Sequence, residues 1–278
     1  MTGVLISIIL PCYNQAEYLP EALESVLKQS HSRWECIIVD DGSPDETKRI
    51  ADEWLIKDSR FSYIKIKNRG LSNARNVGIN KAKGEIILPL DADDKIADNY
   101  IELSLEEFRK DETVKLVYCK AQKFGIEQGI WVLPNFSLNK LAQINMIFCA
   151  SFFYKKDWLD IGGYDINMVY GLEDWEFWIS LLKNGGTVKK IDSIGFYYRV
   201  KKVSMITNLQ KEQKEEMLQY MSVKHADFFV KQLGSFYALN KELRTLKRAY
   251  MKKVNNKKYV LNLFLKTFFG ISIFNIRK

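Results

Sequence analysis

The chain has 278 residues, 47% of them hydrophobic and 27% charged, with 15 Gly, 5 Pro and 4 Cys. This excludes disorder, collagen-like repeats and a disulfide scaffold, and it leaves room for one large domain or one domain with an appendage. The net charge of +8 sits at one end: residues 241–278 hold eleven Lys and Arg against Glu242, a net of +10, while residues 1–240 hold 31 Lys and Arg against 33 acids, a net of −2.

Leu5–Leu10 is an unbroken apolar run, the pattern of a strand buried on both faces. Leu19, Ala22, Leu23, Val26 and Leu27 follow at helical spacing, and Cys36–Val39 is a second buried strand. Ser43-Pro44-Asp45-Glu46 has the form of a helix start with Ser43 as its cap. Phe61–Ile66 reads as a third strand, Ser72 as the cap of a helix reaching about Lys81, and Glu85–Leu90 as a fourth strand. Ile101, Leu105 and Phe108 mark another helix, and Leu116–Cys119 another strand. Strand–helix alternation with short connections predicts right-handed βαβ units and a mostly parallel sheet flanked by helices.

Between 120 and 204 the pattern is less regular. Ile147–Tyr154 and Thr187–Ile191 read as strands, and Glu173–Leu182 as a helix that buries Trp175, Trp178, Ile179 and Leu182. Gly185-Gly186 ends it. Residues 208–256 predict two long helices around Gly234-Ser235, the second with an apolar seam of Phe236, Leu239, Leu243, Leu246 and Tyr250. The expected division is a domain over 1–205 and a basic helical extension over 206–278.

The four cysteines, Cys12, Cys36, Cys119 and Cys149, lack metal-type spacing and have apolar neighbours. They read as reduced, buried thiols, which fits a cytoplasmic location. No secretory leader is expected, and Val260–Ile276, broken by Asn262 and Lys266, is too short and polar for a spanning helix.

Ligands of open parallel sheets bind beyond the carboxyl ends of the strands. Three such ends carry unusual residues: Pro11-Cys12-Tyr13-Asn14, Asp40-Asp41-Gly42-Ser43 and Asp91-Ala92-Asp93-Asp94. Five aspartates on one edge need a cation or hydrogen-bond donors to offset their repulsion. Asp91 and Asp93, one residue apart on a turn, can face Mg2+ or Mn2+, and such an ion would neutralise a diphosphate leaving group. Alone, such a pair also suits a solvated acidic turn. Asp41 can accept from a nucleobase N–H or a ribose hydroxyl. Arg75 lies at the positive end of a helix dipole, where a bound anion, or pairing with the acidic cluster, would offset its charge. Glu173-Asp174 opens an aromatic helix, and a carboxylate desolvated by indole rings becomes a stronger base. The lone His31 and His225, and the absence of G-x-G-x-x-G and G-x-x-x-x-G-K, argue against metal-histidine, dinucleotide and P-loop chemistry.

Six ordered stretches resemble the family 2 glycosyltransferases, whose fold is called GT-A: residues 7–14, 39–43, 68–78, 90–94, 161–165 and Glu173-Asp174-Trp175-Glu176, spread over about 5–205. The resemblance implies an inverting, metal-dependent transferase of a hexose or N-acetylhexosamine from a nucleotide-diphospho-sugar, usually carrying UDP. It implies a nucleotide pocket lined by Pro11, Tyr13, Asp41 and Arg75, with Asn14, Asp40 and Ala92 beside them. Asp93 and Asp91 are implied as ligands of Mn2+ or Mg2+, and Asp174 as the base. Many relatives carry a His in a Tyr-Arg-x-His-x-x-Ser stretch that here reads Tyr198-Arg199-Val200-Lys201-Lys202-Val203-Ser204. Lys201 cannot ligate a metal while protonated but can contact a phosphate, so weak metal affinity is expected. A non-catalytic nucleotide-sugar or glycan-binding module is the alternative.

The expected acceptor is a glycan or lipid-linked molecule, as in bacterial surface-polysaccharide assembly. The basic, apolar C-terminal tail suits an anionic inner membrane surface, or a homodimer seam. No nucleic-acid module is recognisable.

Overall fold

The structure, a computed structural model, describes residues 3–274. It divides into two compact units, Met1–His225 and Ala226–Lys278. In the first, the strands are β1 (Ile6–Cys12), β2 (Trp34–Asp40), β3 (Phe61–Lys65), β4 (Ile86–Pro89), β5 (Lys95–Ile96), β6 (Val114–Gly125), β7 (Gly129–Trp131), β8 (Phe152–Tyr154) and β9 (Thr187–Val200). The helices are α1 (Leu19–Leu27), α2 (Thr47–Lys57), α3 (Leu71–Lys81), α4 (Tyr100–Lys110), α5 (Leu138–Leu141), α6 (Lys155–Asp160), α7 (Glu173–Leu182), α8 (Met205–Asn208) and α9 (Lys211–Lys224). The second unit holds α10 (Ala226–Leu233), α11 (Phe236–Val254) and α12 (Lys257–Phe269).

All the strands share one sheet, ordered β3-β2-β1-β4-β8-β6-β9-β5, with β7 beside β6. The first four are mutually parallel, as the βαβ reading expects. Beyond β4 the sheet is mixed: β8 runs antiparallel to β4 and β6, β6 and β9 are parallel, and β5 and β7 are antiparallel additions. The chain reaches β8 through an irregular segment rather than a crossover helix, so nothing forces it parallel. Of the expected strand Ile147–Tyr154, only the last three residues pair, while the expected Thr187–Ile191 extends to Val200.

The parallel half follows from its apolar pattern. Every residue of β1 is buried, and α1 buries Leu19, Ala22, Leu23 and Val26 against the sheet. Helix α3 lies close on β1 and β2 because Gly78 has no side chain; a Cβ there would collide with Ile9 Cγ2 and meet Val39 Cγ2 at 3.0 Å. That approach sets where the N-terminal turn of α3, with Arg75, meets the strand ends.

Two expected helix caps are corrected. Ser43 does not cap α2, which starts later; Asp45 instead accepts from the Thr47 N–H at 3.1 Å and its hydroxyl at 2.6 Å. Ser72 lies inside α3, and its buried hydroxyl has no hydrogen-bond partner. The N-cap of α3 is Gly70, at φ +88°, and the Asp41 carboxylate from the end of β2 accepts the Arg69 and Gly70 N–H groups at 2.9 and 2.8 Å. The capping oxygen comes from a distant strand, which local spacing does not reveal.

The expected boundary fell after 205. The compact division falls after His225, because α9 buries Met217 and Met221 and His225 Nε2 meets Glu176 Oε1 at 2.7 Å. The first of the two long helices expected over 208–256 is therefore broken at His225. In the second unit the α11 seam stays open: Phe236 is 81% and Leu243 65% exposed. Among the described residues no helix is long and apolar enough to cross a membrane. Residues 275–278 of the basic tail lie outside the described residues. The four cysteines are free and buried, as expected.

Gly78→Ala should destabilise the first unit by about 1–3 kcal/mol, read as a lower urea midpoint with an unchanged m-value.

Candidate active site

The ends of β1, β2 and β4 bring three loops to one edge of the sheet. After β1, Pro11 is buried as part of the strand and Tyr13 is half exposed. Asn14 adopts a left-handed backbone, φ +54°, with its N–H held by Ser43 Oγ at 3.1 Å. After β2, the two aspartates separate in role. Asp40 is fully buried; its Oδ1 accepts the Ser43 N–H at 2.7 Å and its Oδ2 the Tyr63 hydroxyl at 2.5 Å. These bonds hold the turn. Asp41 is nearly buried on the α3 N-terminus, and burial raises its pKa against those two N–H bonds.

After β4, Asp91 and Asp93 keep part of their surface exposed, while Ala92 and Asp94 are buried. Asp94 Oδ1 accepts the Arg199 N–H at 2.7 Å. Burial, then Asp93 and Asp91, push the Asp94 carboxyl well above the usual range. Cys149 donates to Asp91 Oδ2 at 3.2 Å; burial, then Asp91, keep it a thiol. Asp91, Asp94 and Cys149 offer ligand atoms within 4.8 Å of one another, a group that could hold a metal by spacing.

Arg75, fully buried, joins this turn to the other half of the unit. Its Nη2 lies 2.7 Å from Asp91 Oδ1 and its Nη1 2.5 Å from Glu173 Oε1. Burial opposes the guanidinium charge, and Asp91 and Glu173 outweigh it. The pairing of Arg75 with the acidic cluster, one of the options the sequence left open, is present. The next residue on α3 does related work: Asn76 bonds both backbone polar groups of Tyr164, at 2.7 and 2.8 Å, and the Trp158 indole N–H at 3.1 Å. Tyr164 stacks on Phe177 of α7 at 4.0 Å. Adjacent residues of one helix thus fix both the start and the face of α7.

Asp174, beside Glu173 at the start of α7, is partly exposed. Its Oδ1 accepts from Asn145 Nδ2 at 3.0 Å and from the Trp175 N–H at 2.7 Å. Burial, then the neighbouring Glu173, raise its pKa to about 7, with Arg75 and the Asn145 bond opposing. A carboxylate titrating near neutrality is a competent general base. Deeper on the helix, burial alone would raise Glu176, but bonds from His225 and Lys224 hold it low.

The end of β9 closes the site. Arg199 Nε donates to the Asp93 carbonyl at 2.7 Å, and Lys201 Nζ lies 2.5 Å from Asp93 Oδ2 and 3.0 Å from Gln15 Oε1. Sequence reasoning had given no role to Asn145, Cys149, Arg199 or Gln15. Only Arg199 carried a signal, as the neighbour of Lys201 in a quoted motif. A cavity of about 700 Å3 lies elsewhere, along α1 and β5, and holds none of the expected site residues.

The family model described as glycosyl transferase family 2 matches residues 7–161. The chain belongs to glycosyl transferase family 2. A second model, described as the N-terminal domain of galactosyltransferase, matches residues 140–203. This family 2 chain is similar to chondroitin synthase of Escherichia coli, 30% identical over 185 residues, covering 65% of the chain and 27% of that protein. It is 38% identical over 177 residues to the glycosyltransferase GlyG of Streptococcus pneumoniae, covering 51% of the chain and 59% of GlyG. A Bacillus subtilis protein named for teichuronic acid biosynthesis, TuaG, is 27% identical over 230 residues, covering 81% of the chain and 90% of TuaG. The chain thus spans about a quarter of the first of these relatives and under two thirds of the second. Among solved structures, S. aureus TarS 1–349 in complex with UDP-GlcNAc shares the fold with a TM-score of 0.69 at 19% identity, covering 82% of this chain and 71% of that one. The GT-A fold expected from the sequence is the fold present.

Proposed function

We propose that this chain transfers a hexose or N-acetylhexosamine from a nucleotide-diphospho-sugar, with UDP as the nucleotide, to an acceptor hydroxyl, inverting the anomeric carbon. One observation carries the reading. A largely buried carboxylate with its pKa raised to about 7, Asp174, is tied through Glu173 and Arg75 to the Asp91–Asp93 turn. The UDP-GlcNAc complex of TarS, a protein of the same fold, supports the donor class.

In this reading the exposed Tyr13 ring receives the nucleobase, and Asn14 and Asp41 border it. The diphosphate lies toward Asp91, Ala92 and Asp93. Asp174 accepts the proton of the acceptor hydroxyl as that oxygen attacks the anomeric carbon. The bond to the β-phosphate oxygen breaks on the opposite face, and the nucleoside diphosphate leaves with the electron pair. Asn145 and the Trp175 N–H orient Asp174, and Arg75 sets its distance from the donor turn. The non-catalytic alternative has no use for a base tuned to neutrality.

The family expectation of Mn2+ or Mg2+ on Asp91 and Asp93 meets a poor donor set. Both Asp91 oxygens are engaged, by Arg75 and by the Cys149 thiol, and Asp93 is already paired with Lys201. A hard divalent ion wants free anionic oxygens. Paired in this way, Asp91 and Asp93 do not fit a resident ion, and no step above runs through one.

The acceptor we propose is a growing surface glycan, lipid-linked at the inner face of the plasma membrane. TuaG's printed role in teichuronic acid biosynthesis supports that class. The unpartnered α11 seam and the +10 charge of residues 241–278 support attachment to an anionic leaflet.

Three outcomes are expected. UDP-sugars at about a hundredfold excess over Kd should raise the thermal midpoint by about 5 °C, and CMP- or GDP-sugars should not; no response to any UDP-sugar refutes the donor class. Turnover should rise with pH through about 7, because the base works deprotonated, and Asp174→Asn should lower it about 10²–10⁴-fold without weakening UDP binding. Leu243→Asp with Leu246→Asp should abolish cosedimentation with phosphatidylglycerol vesicles while leaving UDP binding intact.

A further inference from the structure

Lys201 is not a solvated surface lysine. Its main chain is registered by Arg199, whose N–H meets Asp94 Oδ1 and whose Nε meets the Asp93 carbonyl, both at 2.7 Å. The Arg199 guanidinium is itself braced by Glu21 at 3.0 Å and lies over the Phe124 ring at 4.3 Å. From this footing Lys201 Nζ reaches Asp93 Oδ2 at 2.5 Å and Gln15 Oε1 at 3.0 Å, with the Tyr18 ring 4.8 Å away. Its side chain is 13% exposed and that of Asp93 21%.

The position is specific. Gln15 belongs to the loop after β1 and Asp93 to the turn after β4. Lys201 therefore stands between the two segments that border the nucleotide and its phosphates. An ammonium has three N–H donors, and Asp93 and Gln15 take two of them. The third, with the exposed part of the side chain, is left for an incoming oxygen. A divalent ion bridging Asp93 to a diphosphate would need this same ground.

We propose that the Lys201 ammonium is the built-in cation for the donor diphosphate and takes the place of a divalent ion on Asp93. The inference rests on the nucleotide-diphospho-sugar reading above. Asp93 then acts as a holder for Lys201. Lys201 donates to a phosphate oxygen in the bound donor, and that charge-assisted bond strengthens as the leaving diphosphate gains charge.

The test is calorimetric binding of UDP and of uridine to the full chain, in EDTA and in excess Mn2+, with Mn2+ binding followed separately by electron paramagnetic resonance. The wild type should bind UDP equally well in both buffers, within about threefold, and should hold no Mn2+ tightly without nucleotide. Lys201→Met should lose about tenfold or more in UDP affinity in EDTA while its uridine affinity is unchanged, which puts the loss at the phosphates. Lys201→His should regain UDP affinity only when Mn2+ is added. Unchanged thermal midpoints for both variants verify folding, and Lys201→Gln, which also removes the charge and carries the same expected loss in EDTA, replaces Lys201→Met if that variant fails this control. A wild type that binds UDP only with Mn2+, or a Lys201→Met variant that binds UDP like the wild type in EDTA, overturns the inference and leaves the donor class standing. Failure of UDP to bind in either buffer overturns the donor class, and the inference with it.

Discussion

Arg75 puts a permanent positive charge in the interior, where an unpaired ion is unstable by several kcal/mol. Two carboxylates make that charge tolerable, and they come from opposite parts of the unit: Asp91 from the turn after β4 and Glu173 from the start of α7. The guanidinium is planar and rigid, so its two ends hold those segments at a fixed separation. The neighbouring Asn76 fixes the Tyr164 backbone, and Tyr164 stacks on α7. The distance between the Asp91–Asp93 turn and the Asp174 carboxylate is therefore built into one helix, α3. Helix α3 in turn owes its depth to Gly78 lying against Ile9 and Val39.

The acidic edge of the sheet is neutralised from within. Asp40 is consumed by Ser43 and Tyr63, Asp41 by the α3 N-terminus, Asp91 by Arg75 and Cys149, Asp93 by Lys201 and Asp94 by the Arg199 main chain. Charge at this edge is balanced by protein donors and cations, and the account of the leaving diphosphate follows from that balance. Asp174 stands apart. Asn145 and the Trp175 N–H both donate to one of its oxygens, burial and Glu173 disfavour its charge, and its pKa is raised to about 7.

Much of the fold was legible because β1, β2 and β4 are almost wholly buried and α1, α2 and α4 each bury one stripe of apolar residues. Leu5–Leu10, Leu19–Leu27 and Glu173–Leu182 all fall where the spacing puts them. The rest depended on tertiary partners. Ser72 looks like a cap, yet the α3 N-terminus is served by Asp41 from β2. The apolar run Ile147–Tyr154 is buried for most of its length but pairs only at its end, and burial alone does not specify pairing. In the site, Asp91, Asp93 and Asp174 were legible as acids at strand and helix ends. Asn145 gave no signal, because it lies in an irregular segment and reaches Asp174 only across the fold. Arg75 was recognised as a conflict with the helix dipole, and the fold resolves that conflict with Asp91 and Glu173. Lys201 stood out as a departure from a motif, but its grip on Asp93 needed the β9 register to bring the two together.

The central claim is that Arg75 and Glu173 act as one coupled unit between the two halves of the site. A double-mutant cycle of Arg75→Met and Glu173→Gln, read by urea unfolding, tests it most directly. Arg75→Met should cost about 3 kcal/mol by leaving Glu173 buried without its cation, and Glu173→Gln should cost less, because Asp91 still pairs Arg75. The double variant should lose less than the sum, with a coupling of about 1.5 kcal/mol or more. Losses that add within about 0.5 kcal/mol would contradict the account.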